Sequence, residues 1–175
     1  SLVWLNATLL FALAVALSAW TAHRAGAGAG VLVALGMVGH RDFYDGFSPS
    51  YVDHHGLITT AIFGVMLGAV FMGAGWWRET AEPHAASLLP RALAAARRAA
   101  VLSALGGAVG LWLSAASVIP AIAFASLTGL GVTAIWGRST LRSGAHFSAD
   151  LWRLWGRVGA AASLGFYLLE YAPAH

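Results

Sequence analysis

The sequence contains no cysteine and no lysine, and only 10% of its 175 residues are charged. The absence of cysteine excludes disulfides, thiolate metal sites and cysteine nucleophiles, but it does not identify the cellular compartment. All ten basic residues are arginine, and they lie in a few polar segments between apolar runs. The basic isoelectric point therefore describes these segments and does not indicate nucleic-acid binding.

Long apolar runs take up most of the chain. The sequence is 59% hydrophobic with a mean hydropathy of +0.72, and its apolar runs are too long for a soluble domain of this size. A bilayer core requires roughly twenty apolar residues per helix. We therefore predict an all-α fold, a polytopic membrane protein of about six transmembrane helices that forms a single domain over residues 1–175. The predicted spans cover about 1–21, 28–39, 56–77, two spans within 99–136 that turn near Pro120, and 152 onwards.

The arginines predict an orientation for these spans. Short loops rich in arginine stay cytoplasmic, and one orientation places every arginine except Arg41 on the inner side. We therefore predict a multi-pass protein of the cell inner membrane whose loop around Asp53 lies on the outer, periplasmic side. A chain that starts outside needs a preceding span or a signal, and no charged leader precedes the first apolar run. We accordingly expect a fragment or reduced form of a longer membrane protein.

Two arginine pairs are candidates for contact with lipid at the inner face. Arg97 and Arg98 belong to the polar connection before the long apolar block, where they favour attraction to anionic lipid. Arg153 and Arg157 are four residues apart and so share one helix face near the headgroups.

The segment "HRDFYDGFSPSYVDHHGLITT", residues 40–60, gathers most of the ionisable chemistry. Asp-Gly and Ser-Pro predict a reversal followed by extended backbone, and a helix begins near Asp53. Asp53 and His55 can both lean towards one point as metal ligands, and a helix N-terminus favours phosphate. The alternative is that Asp53 only caps the helix.

Four further residues of this segment are candidates for binding phosphate or supporting the metal ligands: His54, His40, Asp42 and Asp45. For Asp42 and Asp45 we favour the plainer interpretation, in which they pair with Arg41 or stabilise the turn. A histidine at the end of a helix, such as His40, is also ordinary at a membrane interface.

The stretch "SPSYVDHHGLIT" resembles the second short acidic motif of the catalytic subunits of oligosaccharyltransferases, which are lipid-linked-sugar glycosyltransferases with the C-type membrane fold. Archaeal members of that family read Asp-His-His in a short external loop just before a transmembrane helix. The later stretches "GLWLSAASVIPAI" and "LWRLWGRVGAAASLGFYLLEYAPAH" are similar to uncharacterised bacterial relatives of the same family.

This resemblance implies that Asp53 and His55 bind a divalent cation, Mg²⁺ or Mn²⁺ in preference to Zn²⁺, beside the phosphate of a polyprenyl-linked sugar donor. The chain would then be part of a glycosyltransferase, with membrane lipids, the lipid-linked sugar and the rest of a longer chain or other subunits as partners, and no nucleic acid. The family's first acidic motif, its soluble domain and its external glutamate motif have no counterpart in the sequence. Whether this chain alone is an enzyme therefore stays open.

A different class of function is also open. Small multispan chains rich in glycine, alanine and tryptophan serve as non-catalytic subunits of respiratory or photosynthetic complexes, where histidines inside the membrane ligate haem or chlorin. Here every histidine falls at the end of a predicted span or in a loop, which disfavours such ligation but not an accessory role. A transporter fragment is a third alternative, disfavoured because no charged residue lies deep in a span.

Overall fold

The computed structural model describes residues 5–41, 45, 54–79 and 89–171. The chain divides into two compact units, Ser1–Thr60 and Ala61–His175. The elements, in chain order, are α1 (Leu5–Ala25), α2 (Ala27–Gly39), α3 (His55–Phe71), a 3₁₀ turn (Gly73–Gly75), β1 (Trp76–Trp77), α4 (Leu93–Arg142), β2 (His146–Phe147) and α5 (Ala149–Tyr171).

Helix accounts for 88% of the structure, which confirms the predicted all-α class. Among the described residues, three helices are long and apolar enough to cross a membrane: Ala7–Ala25, His55–Gly75 and Leu93–Arg142. Large apolar side chains such as Phe11, Leu32 and Ile135 are exposed by 70% or more on these and neighbouring helices. Lipid covers such surfaces in membrane proteins, so the structure supports a membrane protein. The number of six spans stays a prediction.

The first unit contains the helix pair α1 and α2. The two helices are separated by Gly26 alone, whose φ of 94° is accessible to glycine at no steric cost. A Cβ placed on Gly30 would lie 2.6 Å from the Cβ of Ala22 and 2.8 Å from the carbonyl oxygen of Ser18. The chain therefore reverses at Gly26, and α2 packs closely on the end of α1. At 13 residues, α2 confirms the predicted short apolar segment.

In the second unit, α4 is folded back on itself. Its backbone is extended at Ser114, with φ of −162° and ψ of 96°. A Cβ on Gly107 would lie 3.6 Å from Cδ1 of Ile122, whereas these residues would be roughly 22 Å apart in a straight helix. We call the two arms α4a (93–113) and α4b (115–142). The predicted reversal therefore occurs, but at Ser114 rather than at Pro120, which lies inside α4b.

Close contacts at small residues hold the second unit together. Ser103 on α4a is fully buried; its hydroxyl donates to the carbonyl oxygen of Val65 at 2.8 Å and accepts from Nε1 of Trp155 at 2.9 Å. One hydroxyl thus joins α3, α4a and α5. A Cβ on Gly68 would collide with Ser103, so glycine at that position permits the close approach of α3 and α4a.

A two-residue antiparallel ladder closes one end of this unit. Trp76 pairs with Phe147 and Trp77 with His146, and both pairs also bring their rings to about 5 Å between centroids. The indole of Trp76 donates to Thr133 at 3.2 Å, which attaches the ladder to α4b. The end of α3, the end of α4b and the start of α5 therefore meet at one place.

Candidate functional site

The described part of the acidic motif lies at the start of α3. The N–H of Ile58 donates to the carbonyl oxygen of His54 at 3.0 Å, so His54 occupies the N-cap position and His55 is the first helical residue. The capping alternative had placed Asp53 at that position. Asp53 precedes the cap and lies outside the described residues, so its prediction as a metal ligand stays a prediction.

The first turn of α3 presents its polar groups in a defined arrangement. The first N–H groups of an α-helix make no hydrogen bond within the helix, and in α3 these include the N–H groups of Gly56 and Leu57. Thr59 and Thr60 donate their hydroxyls back to the carbonyl oxygens of His55 and Gly56, at 3.0 and 2.8 Å. At the start of a helix, backbone N–H donors rather than carbonyl acceptors are directed away from the helix. That polarity favours an anion.

The rings of His54 and His55 are stacked, with centroids 5.1 Å apart and planes inclined by 20°, and both residues are exposed. A metal–imidazole bond lies in the plane of the ring and measures about 2.1 Å. Two nearly parallel planes at this separation do not converge on one cation at such a distance. The arrangement therefore offers one imidazole at a time, and the assignment of His55 as the ligand stays a prediction.

The remaining candidates of the segment that the structure describes, His40 and Asp45, do not join the two histidines into a metal cluster. Asp45 accepts a hydrogen bond from Nε of Arg41 at 3.0 Å, and the two side chains are 48% and 82% exposed. This contact confirms the plainer interpretation for Asp45 and contributes little stability. His40 follows the end of α2, where its backbone N–H donates to Gly36 at 3.1 Å. Asp42 lies outside the described residues. Within the described ranges, no group of three His, Cys, Asp or Glu residues is placed to hold a metal ion.

The predicted lipid-contact arginines are all exposed. Arg97 and Arg98 lie near the start of α4a, and Arg153 and Arg157 lie near the start of α5. Arg153 donates to the carboxylate of Asp150 at 2.8 Å, one helical turn earlier. The close approach of Gly159 to Ala104 shows that α4a and α5 pack side by side, so both pairs belong to the same half of the second unit.

The structure places further arginines near these two pairs, and the sequence analysis had not predicted that they contact lipid. Arg78 follows β1, donates its backbone N–H to Pro90 at 2.9 Å and donates its guanidinium NH2 to Ser143 at 2.6 Å. Arg138 and Arg142 lie in the last turns of α4b. We call the surface made by these residues the basic end. Its arginines are Arg78, Arg91, Arg97, Arg98, Arg138, Arg142, Arg153 and Arg157. The sequence analysis predicted that these arginines lie on the inner side, but it did not predict the ladder that brings their segments together.

The opposite end of the second unit is aromatic and acidic. Trp112 stacks on Phe166 with ring centroids 5.3 Å apart, and its indole donates to Glu170 at 2.9 Å. Tyr167 and Tyr171 pair on the same helix at 4.8 Å. The sequence analysis assigned no function to Trp112, although its place beside the turn of a predicted hairpin was a signal for this pair. Aromatic residues with polar tips are typical of a membrane–water interface.

Comparison of the chain with protein families, curated proteins and solved structures returns no match.

Proposed function

We propose that the chain is part of a glycosyltransferase-like membrane protein in which Asp53 and His55 bind a divalent cation and the phosphate of a polyprenyl-linked sugar. The observation that carries the proposal is the position of the two histidines. They lie at the start of α3, a helix long and apolar enough to cross a membrane, and a motif at the end of such a helix would be within reach of a lipid-borne phosphate. The Asp-His-His resemblance supports the same assignment.

The residues at the start of α3 suit this ligand chemically. His55 would supply one exposed imidazole and the carboxylate of Asp53 an oxygen ligand. Mg²⁺ prefers oxygen ligands, so the mixed nitrogen and oxygen set suits Mn²⁺ better than Mg²⁺. A bound cation would neutralise the phosphate oxygens of the leaving group. The backbone N–H groups at the start of α3 would favour the same phosphate.

Binding of Mn²⁺ to the purified chain in detergent, followed by electron paramagnetic resonance, tests the proposal. We expect D53N and H55Q each to weaken Mn²⁺ binding at least tenfold, since each removes one of the two assigned protein ligands. Asparagine has nearly the size of aspartate, and His54 rather than residue 53 occupies the N-cap, so D53N should leave the start of α3 folded while it removes the charge. Geranyl diphosphate, used as a short polyprenyl probe, should tighten Mn²⁺ binding to the unsubstituted chain but not to D53N.

Two matched controls accompany these variants. Asp150 is an exposed aspartate at the start of another helix, and His146 is an exposed histidine in β2. D150N and H146Q should bind Mn²⁺ as the unsubstituted chain does. Equal affinities of D53N, D150N and the unsubstituted chain would refute the assignment and leave Asp53 as a residue of the helix boundary.

An accessory subunit of a larger membrane complex is the second candidate. The apolar surface exposed on α4b, including Phe124, Leu127 and Leu130, each more than 60% exposed, could be covered by a partner helix as well as by lipid. The described histidines lie at the ends of helices or in β2. This placement gives no support to the haem-binding or chlorin-binding form of that candidate.

A further inference from the structure

We propose that the basic end is a docking surface for the headgroups of anionic phospholipids in the adjacent leaflet. The inference does not depend on the proposed transferase function. Its arginines reach it from four chain segments: the stretch after β1, the start of α4a, the end of α4b and the start of α5. Arg97, Arg98, Arg138 and Arg142 are all exposed.

Charge complementarity favours an anionic partner. Among the described residues, the acids near this surface are Glu79 and Asp150, and Asp150 already accepts a hydrogen bond from Arg153. The eight arginines of the basic end therefore outnumber these two described acids four to one. A phosphodiester accepts bidentate hydrogen bonds from guanidinium groups, and anionic leaflets attract basic segments at the membrane surface.

The position of the basic end, at one end of helices that match the thickness of a bilayer, favours a lipid over a soluble anion. From Arg153 to Glu170, α5 extends roughly 25 Å at its helical rise, close to the ~30 Å thickness of a hydrocarbon core. The basic end and the pair Trp112–Glu170 thus lie about one membrane thickness apart. Trp136 and Phe147, exposed by 56% and 40%, lie near the arginines and can enter the headgroup region as interfacial anchors.

The arginine-bearing segments are held in place before any lipid binds. Arg78 joins two of them, through its bond to Pro90 before α4a and its bond to Ser143 after α4b. The backbone N–H of Ser148 donates to Gly75 at 2.9 Å, which fixes the start of α5 beside the ladder. A surface that is already ordered loses little conformational freedom on binding.

Lipid-dependent thermal unfolding of the purified chain tests this inference. The chain in a neutral detergent is titrated with phosphatidylglycerol or phosphatidylcholine, bound lipids are counted by native mass spectrometry, and helicity is followed by circular dichroism. A lipid that binds the folded state raises the unfolding temperature. We expect phosphatidylglycerol, but not phosphatidylcholine, to raise it. The double variant R138Q/R142Q should need roughly tenfold or more phosphatidylglycerol for the same shift in unfolding temperature. Each arginine near an anionic surface strengthens binding about fivefold, and this variant removes two of them.

The double variant R24Q/R41Q is the matched control, because it removes the same charge from the first unit. It should respond to phosphatidylglycerol as the unsubstituted chain does. The proposal is overturned if both double variants lose the response equally, because net charge alone would then explain it. It is also overturned if phosphatidylcholine or inorganic phosphate stabilises the chain as much as phosphatidylglycerol does. None of these measurements uses a divalent cation, so failure here leaves the assignment of Asp53 and His55 untouched.

Discussion

The hydroxyl of Ser103 offers the sharpest test of how the second unit is held together. In S103A, the carbonyl oxygen of Val65 keeps its helical hydrogen bond, but the indole N–H of Trp155 loses its acceptor. An unpaired buried donor costs about 1–3 kcal/mol, whereas hydrogen bonds between helices in a membrane average about 0.6 kcal/mol in double-mutant cycles. Trp155 is only partly buried. We therefore expect S103A to lower the free energy of unfolding by about 1–2 kcal/mol.

The assay is reversible unfolding of the purified chain in mixed micelles, in which SDS is the denaturant and circular dichroism the signal. Ser126 provides the control, because its hydroxyl donates to Ile122 within its own helix at 2.8 Å and joins no second helix. S126A should cost less than about 0.5 kcal/mol. In a W155F background, S103A should cost less than it does alone, since the donor is already gone. Equal costs for S103A and S126A, or no coupling between Ser103 and Trp155, would refute this account.

Two further predictions concern backbone positions in the second unit. G129A should destabilise the fold by about 1–3 kcal/mol, because its new methyl group would collide with the ring of Trp152. G131A is the control: no atom lies within 4 Å of its new methyl group, so it should be neutral or stabilising by up to ~1 kcal/mol. The same SDS unfolding assay compares the two variants, and equal costs would contradict the packing of Gly129 on Trp152. A74G should stabilise the fold by about 1 kcal/mol, because Ala74 has a φ of 49° in the left-handed region where a Cβ is strained, and an unchanged or lower midpoint of unfolding would contradict that strain.

Helix positions were largely predictable, because the length of an apolar run bounds what can cross a bilayer. The pair α1 and α2 appears where "AHRAGAG" interrupts two apolar runs, and Gly26 supplies the turn. The reversal in α4 was expected at Pro120, since proline ends helices. A proline removes one backbone donor but does not by itself reverse the chain. The reversal uses an extended Ser114 and packing of Val118 against Gly110, which no local pattern in the sequence announces.

The ladder and the hydrogen bonds of the tryptophans were not predictable in the same way. A strand of two residues has no periodicity to detect, and the predicted span over about 56–77 included Trp76 and Trp77. The bond from Trp155 to Ser103 joins residues far apart in sequence, so only tertiary packing reveals it. At the candidate site, the helix start beside the two histidines was anticipated from turn chemistry. The stacking of their rings depends on side-chain rotamers, which sequence spacing does not determine.

The fold-back of α4 at Ser114 has a consequence for how the chain enters a membrane. No ionisable residue occurs between Arg98 and Arg138, so α4a and α4b can insert together with the turn leading and no charge translocated. A single charged residue at the centre of a span would add about 2.5–3.5 kcal/mol to insertion. The polar side chains at the leading turn are hydroxyls, and those of Ser114 and Ser117 lie within hydrogen-bonding distance of each other, at 3.0 Å. Biogenesis of the second unit can therefore begin with a preformed helical hairpin whose arginine-bearing ends remain on the side of synthesis.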